Sequence, residues 1–180
     1  MEIIETKIPD LLIVKPAVFE DNRGYFFESY NKEKFLGKGI DQNFVQDNES
    51  KSMKGVLHGL HFQAPPFAQG KLVRVMKGAV LDVAVDIRKN SPTYGQWASI
   101  ELTESNKWMY WVPPGFAHGF ITLEDNTVFF YKCTNVYNKA SEGSIRWNDP
   151  DLNITWGHAT PLLSDKDQQA PLFRDFVSPF

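Results

Sequence analysis

The segment Gly55–Gln63, GVLHGLHFQ, sets two histidines, His58 and His61, three residues apart in an apolar run. Imidazoles placed there can ligate a metal, move a proton, or fill a core. A regular strand turns successive side chains to opposite faces, so two ligands sharing a face belong two apart rather than three. A bulge at Gly59 would bring both rings to one side. A metal would still need a third ligand, and the residues that follow, Gln63, Ala64, Pro65 and Pro66, supply no acid. No metal is therefore expected. The polar neighbours set this pair apart from core histidines: Gln46, Asp47 and Asn48 lie upstream in VQDNES, and Lys71 lies downstream. A barrel interior that gathers His, Gln, Asn and Lys predicts a cavity.

Such groups need a rigid frame, and strand signals dominate the chain. KLVRVMKGAVLDVAVDIRK reads as two β runs, Lys71–Met76 and Ala79–Ile87, hinged at Lys77-Gly78. TVFFYKCTNVY is a further run rich in aromatic and β-branched residues. MYWVPPGFAHGFITL reads as strand, Pro-Pro-Gly turn and strand, because proline cannot donate to a ladder and Gly115 permits the turn. DNRG, KNSPTYG and LEDN mark other turns, and helix is expected only near Asn31–Leu36 and Asp165–Gln169. Many short strands between regularly spaced turns predict an all-β sandwich or barrel, best matched by a double-stranded β-helix, or jelly roll, with a few short helices. No repeat, low-complexity tract or Ser/Gly-rich linker divides the chain, so one domain over residues 1–180 is expected.

Composition narrows the function. Of 180 residues, 42% are hydrophobic and 14% aromatic, too apolar for disorder, yet no apolar run approaches the roughly 20 residues of a spanning helix. The aromatics exceed what one small core needs, which predicts apolar surface buried between subunits and hence a homodimer. A formal net charge of −3 gives the whole molecule no electrostatic reason to seek nucleic acid. Cys133 is the only cysteine, so neither an internal disulfide nor a cysteine metal cluster can form. The start, MEIIETKIPD, lacks the apolar stretch of a secretory signal, and a cytoplasmic location is the expectation.

The motifs FEDNRGYFFESY, FVQDNESKS, GVLHGLHFQ, QGKLVRV, GAVLDVAVDIRKNSPTYGQW, WVPPGFAHGF, YKCTNVY, EGSIRWNDP and LSDKD run nearly end to end. Singly most are weak; in this order and spacing the chain resembles the cupin-fold dTDP-4-dehydrorhamnose 3,5-epimerases. The resemblance implies action on dTDP-4-dehydro-6-deoxyglucose. A ketone at sugar carbon 4 acidifies the hydrogens on both neighbouring carbons, since either carbanion delocalises as an enolate. Inversion then needs a base on one face, a donor for the enolate oxygen and an acid on the other face, with no redox cofactor. No GxGxxG after a strand and no GxxxxGK[ST] loop is present.

Carried onto this chain, the resemblance implies His61 as base, since an imidazole with an ordinary pKa of about 6.5 is largely neutral near pH 7. It implies Asp167, in LSDKD, as the carboxylate that orients it. Tyr131, on a strand face shared with Phe129 and Cys133, becomes the acid, and Lys71 the enolate stabiliser. On residues alone, Asp167 would read as a helix cap, Tyr131 as core and Lys71 as surface. His118, in FAHGF, is expected to help line the sugar site, with a packed histidine as the plainer alternative. Arg23 suits the diphosphate, since a guanidinium fork matches phosphate oxygens, and Lys166 adds a second positive charge. Phe26 and Tyr137 are expected to stack on thymine. Glu28, Gln46, Asn48 and Glu142 match family positions that contact nucleotide or sugar.

One departure stands out. The family usually reads RGLH where this chain reads HGLH, so His58 replaces an arginine. Histidine offers fewer donors and is charged only below about pH 6.5. His58 is expected to face the same site and donate a hydrogen bond, with weaker or more pH-dependent substrate binding. Two alternatives remain beside the double epimerase: a single-centre epimerase of a related 4-keto sugar nucleotide, and a silent sugar-nucleotide-binding cupin.

Overall fold

The structure, a computed structural model, describes residues 1–180. Thirteen strands run in chain order: β1 Glu2–Glu5, β2 Leu12–Lys15, β3 Phe19–Asp21, β4 Gly24–Phe26, β5 Gln46–Ser52, β6 Leu57–Gln63, β7 Lys71–Lys77, β8 Ala79–Asp86, β9 Trp97–Thr103, β10 Met109–Val112, β11 Phe116–Thr122, β12 Thr127–Cys133 and β13 Glu142–Ser144. Two short helices, α1 Lys32–Phe35 and α2 Asp165–Gln168, fall within the two segments expected to be helical. β7 and β8 start where the two runs read around Lys77-Gly78 start, and each ends within one residue of them. No helix is long and apolar enough to cross a membrane.

Six strands form one sheet in the order β1-β2-β10-β7-β12-β5, and five form a second in the order β13-β6-β11-β8-β9. The pairings are antiparallel. The sheets face each other as a cupin-type jelly roll, and strand alternation assigns each side chain to a layer. In β8, AVLDVAVD sends Val80 and Ala84 into the core between the sheets, while Val83 and Val85 face outward. Tyr110, Phe116, Phe120 and Phe129 complete the inner layer. The outer face of the five-stranded sheet is covered by Ile145, Leu152 and Trp156 of the C-terminal segment. The outer face of the six-stranded sheet is covered by Phe35 and Ile40. Each fully buried side chain of this size contributes about 1.5–3 kcal/mol, which holds the covering segments against the sheets.

A bulge sets the geometry that matters most. His118 pairs His61 and Phe120 pairs His58, so β6 takes three residues where β11 takes two. The surplus lies at Gly59, whose φ of +123° excludes most side chains. A Cβ there would stand 2.6 Å from Gly119 Cα, so the two strands meet glycine to glycine. The bulge resets the alternation: Leu57 and Leu60 both join the outer cluster, while His58 and His61 both face inward.

Candidate active site

At one end of the inner layer the apolar filling gives way to a cavity of about 360 Å³, lined by Gln46, Asn48, His61, Phe62, Gln63, Gln69, Lys71, Tyr131, Tyr137 and Glu142. Seven of the residues expected from sequence line it. They come from both sheets: His61 from β6 and Glu142 from β13, and Gln46, Asn48, Lys71 and Tyr131 from β5, β7 and β12 of the facing sheet. The period of two delivers them, since Lys71 precedes the inward Val73 and Val75, and Tyr131 follows the inward Phe129.

His61 Nε2 stands 2.5 Å from Asp167 Oδ1, with the histidine side chain 28% exposed and the aspartate 3%. The Ser164 hydroxyl donates to Asp167 Oδ2 at 2.8 Å and, as N-cap of α2, accepts from the Asp167 amide. The carboxylate is therefore fixed at both oxygens. Burial would raise its pKa, but the bonds from His61 and Ser164 outweigh burial and hold it below the usual carboxylate range. With Nε2 committed to Asp167, Nδ1 is the ring nitrogen of His61 able to take a proton.

Across the cavity, burial raises the Tyr131 phenol above its ordinary range, as does the neighbouring Cys133, so the hydroxyl keeps its proton at neutral pH. The Lys71 ammonium lies 5.8 Å from the Tyr131 ring centroid. Burial draws the Lys71 pKa down, and Cys133, Asp82 and Glu142 oppose it. Gln46 donates to Asn48 Oδ1 at 3.1 Å and accepts from the Tyr137 amide at 2.9 Å, which ties the 134–138 loop to the cavity wall. The Tyr137 hydroxyl donates to Glu142 at 3.2 Å, and Lys166 forms an ion pair with Glu142 at the rim. An imidazole, a protonated phenol on the facing wall and an ammonium beside it can take a proton from one face of a bound carbon acid, return one to the other, and stabilise an oxyanion between.

Several expected residues lie elsewhere. His58 is not among the lining residues; its Nε2 is 3.1 Å from Ser52 Oγ and its ring stacks 4.8 Å from Phe120. Burial, more than the opposing pull of Asp167, lowers its pKa, so its polar contact is made within the fold. His118 is buried behind the cavity, opposite His61, with Nε2 2.8 Å from Asp82 Oδ1. Arg23 and Phe26 sit on the β3–β4 hairpin, exposed by 84% and 67%, and Arg23 chelates Asp21. Glu28 is held by Asn31 and Lys34 near α1. None of these three reaches the cavity within one chain. No group of three His, Cys, Asp or Glu side chains comes together in a form that could hold a metal.

Gln63, Gln69 and Asp82 were not singled out by sequence. Gln63 donates to the carbonyls of Phe67 and Val136 and accepts from the Asn138 amide, and Gln69 donates to the Asn135 carbonyl, so both brace the loop carrying Tyr137. Gln63 lies two positions beyond His61, a spacing that already marked it for the same face.

These features define a cupin whose barrel mouth presents proton-transfer groups from both walls. Comparison with known proteins narrows the class. The family model described as dTDP-4-dehydrorhamnose 3,5-epimerase matches residues 5–175. An epimerase of that description from Salmonella typhimurium is 56% identical over 176 residues, covering 96% of this chain and 95% of its own. The crystal structure of the dTDP-4-dehydrorhamnose 3,5-epimerase from Elizabethkingia anophelis superposes with a TM-score of 0.94 at 52% identity, covering 97% of each chain. A Legionella pneumophila structure, described as a dTDP-6-deoxy-D-glucose-3,5-epimerase in complex with dTDP-4-keto-L-rhamnose, gives 0.93 at 48% identity over 96% of this chain and 93% of that one. The chain belongs to the dTDP-4-dehydrorhamnose 3,5-epimerase family.

Proposed function

We propose that this chain is a single-domain isomerase that inverts both carbons flanking the ketone of dTDP-4-dehydro-6-deoxy-D-glucose, giving dTDP-4-dehydro-L-rhamnose in the cytoplasm. The observation that carries the reading is the opposition of the His61–Asp167 pair to Tyr131 across one cavity, with Lys71 between the sheets beside them. His61 Nδ1 takes the hydrogen from a carbon next to the ketone, and the electron pair moves onto the ketone oxygen. The Lys71 ammonium stabilises that enolate; one well-placed donor of this kind is worth about 2.7–4 kcal/mol. Tyr131 then protonates the carbon from the opposite face, and water restores the protonation of both residues. The second carbon follows by the same route. Gln46, Asn48, Tyr137, Glu142 and Lys166 hold sugar and nucleotide around this centre.

The nucleotide end is completed in a homodimer. The β3–β4 hairpin exposes Phe19, Tyr25, Phe26 and the guanidinium of Arg23 on a two-stranded ribbon paired to neither large sheet. Such a ribbon suits insertion into a neighbour, supplying Arg23 to the diphosphate and Phe26 to the thymine of the partner's cavity. Mixing an Arg23→Ala chain with a His61→Ala chain under exchange conditions should then restore turnover that neither homodimer shows.

The deciding experiment for the reaction is proton NMR of the purified protein with dTDP-4-dehydro-6-deoxyglucose in deuterated water. Deuterium entering at both carbons beside the ketone supports the double epimerase. Entry at one carbon identifies a single-centre epimerase, and no entry means that the family's cavity is kept without its reaction.

A further inference from the structure

The β3–β4 ribbon pairs with neither large sheet, so side chains must set the direction in which it points. Strand alternation turns Tyr25 and Phe26 to opposite sides, and Phe27, just past the end of β4, returns to the side of Tyr25. Phe26 and its cross-strand partner Phe19 are exposed by 67% and 66%. Phe27 is half-buried and packs on the apolar cluster at the outer face of the six-stranded sheet. One side of the ribbon thus rests on its own barrel, and the other is offered outward.

The barrel meets that inner side with a guanidinium. On β7, Val73 and Val75 face inward, so Arg74 stands outward from the middle of the sheet, between its cross-strand partners Met109 of β10 and Phe130 of β12. Its guanidinium carbon lies 5.2 Å from the Phe27 ring centroid and 5.8 Å from that of Phe130. Arg74 belongs to no ion pair, and its buried Nε has no hydrogen-bond partner. Half-buried cations ordinarily find a carboxylate; here two aromatic rings stand in its place. Farther out along the ribbon, Lys107 Nζ lies 3.9 Å from the Tyr25 ring centroid, and the Tyr25 and Phe27 centroids are 6.1 Å apart. Arg74 and Lys107 therefore grip the same side of the ribbon.

We propose that Arg74 is a positioning residue: held between Phe130 of the sheet and Phe27, it fixes the direction in which the β3–β4 ribbon presents Arg23 and Phe26 to the nucleotide in the partner's cavity. The proposal deepens the reading of that ribbon as the completion of the nucleotide site in a homodimer, and rests on it. Arg74 faces away from the cavity of its own chain and touches no substrate; it acts through Phe27.

Arg74→Met keeps an unbranched side chain and removes the cation. Amide hydrogen exchange of the unliganded protein over residues 19–28 should then quicken about fivefold, the scale of one lost cation–π contact, while β7 and β12 exchange as before. Binding of dTDP, read by calorimetry, should weaken by about the same factor. Arg74→Lys returns a cation to the space between the rings and should recover part of both losses. In an Arg23→Ala background, Arg74→Met should cost less dTDP affinity than it does alone, because both changes remove one and the same contact with the nucleotide. A merely structural role would add in full. If Arg74→Met does not fold, Phe27→Leu removes the contact from the ribbon's side and should give the same two changes. Unchanged exchange over residues 19–28 in a folded variant overturns the proposal. Quickened exchange with unchanged dTDP affinity overturns it as well, and places the failure in the ribbon's role at the nucleotide rather than in the clamp. Neither measurement needs turnover, so both decide the matter whether two carbons, one or none is epimerised.

Discussion

Two His–Asp pairs place their histidines on neighbouring strands of this barrel, and their surroundings divide them. His61 and Asp167 are joined across 106 positions of sequence, at the mouth of the cavity, with the histidine partly open to solvent. His118 and Asp82 come from adjacent central strands and are sealed behind it. At Asp167 the bonds from His61 and Ser164 outweigh burial and depress the pKa; at Asp82 burial wins over His118 and Lys71 and raises it. The same two residue types thus make one pair that can trade protons with water and another that can only hold a fixed arrangement. Chemistry here follows access and hydrogen-bond count rather than residue identity.

The sharpest way to break that division is to remove each ring. His61→Ala should lower deuterium exchange by about 10³-fold or more, within the range of a lost general base, whereas His118→Ala should leave exchange measurable. Equal abolition by both would erase the distinction between open and sealed pairs. Gly59→Ala attacks the bulge that aligns the strands carrying both pairs. A Cβ 2.6 Å from Gly119 Cα, at a φ of +123°, should cost about 2–4 kcal/mol, read as a lowered thermal midpoint, and an unchanged midpoint would show that the strands can part.

Tyr131→Phe tests the wall opposite the open pair. Net inversion should fall by about 10²-fold while deuterium still washes into the substrate, because the base remains and the acid does not. Loss of both together would place Tyr131 in substrate binding instead. The smallest effect concerns pH. Asp167 has a depressed folded pKa, so its contribution to stability is present above the unfolded value near 4 and is lost as pH falls through the lower folded value. Asp167→Asn should therefore flatten the acid-side decline of the unfolding midpoint below about pH 4. Asp82, shifted the other way, should not contribute to that decline.

Much of this was readable beforehand, for physical reasons that differ by residue. Lys71 and Tyr131 were assigned by family resemblance, and the structure turns both inward, on the faces of Val73 and Phe129. The short helices fall in the expected segments, where the Asn31 and Ser164 side chains cap them. His58 and His61, three apart, should face opposite ways, and only the extra residue at Gly59 makes them share a face. Sharing a face did not bring His58 into the cavity, because Ser52 and Phe120 hold it below. Asp82 was hidden by its surroundings: in AVLDVAVD an acid amid valines reads as part of a strand, although alternation with Val80 and Ala84 already turned it inward. The pairing of Asp167 with His61 rested on family resemblance alone, since no local pattern links residues 106 apart.

That long reach has a consequence for what the site depends on. The last strand ends at Ser144, and Asp167 lies beyond it, past the segment that packs Leu152 and Trp156 over the outer sheet. A chain cleaved before Ser164 would keep the residues that line the cavity and lose the carboxylate that orients His61. The imidazole is thus oriented from outside the barrel that holds it.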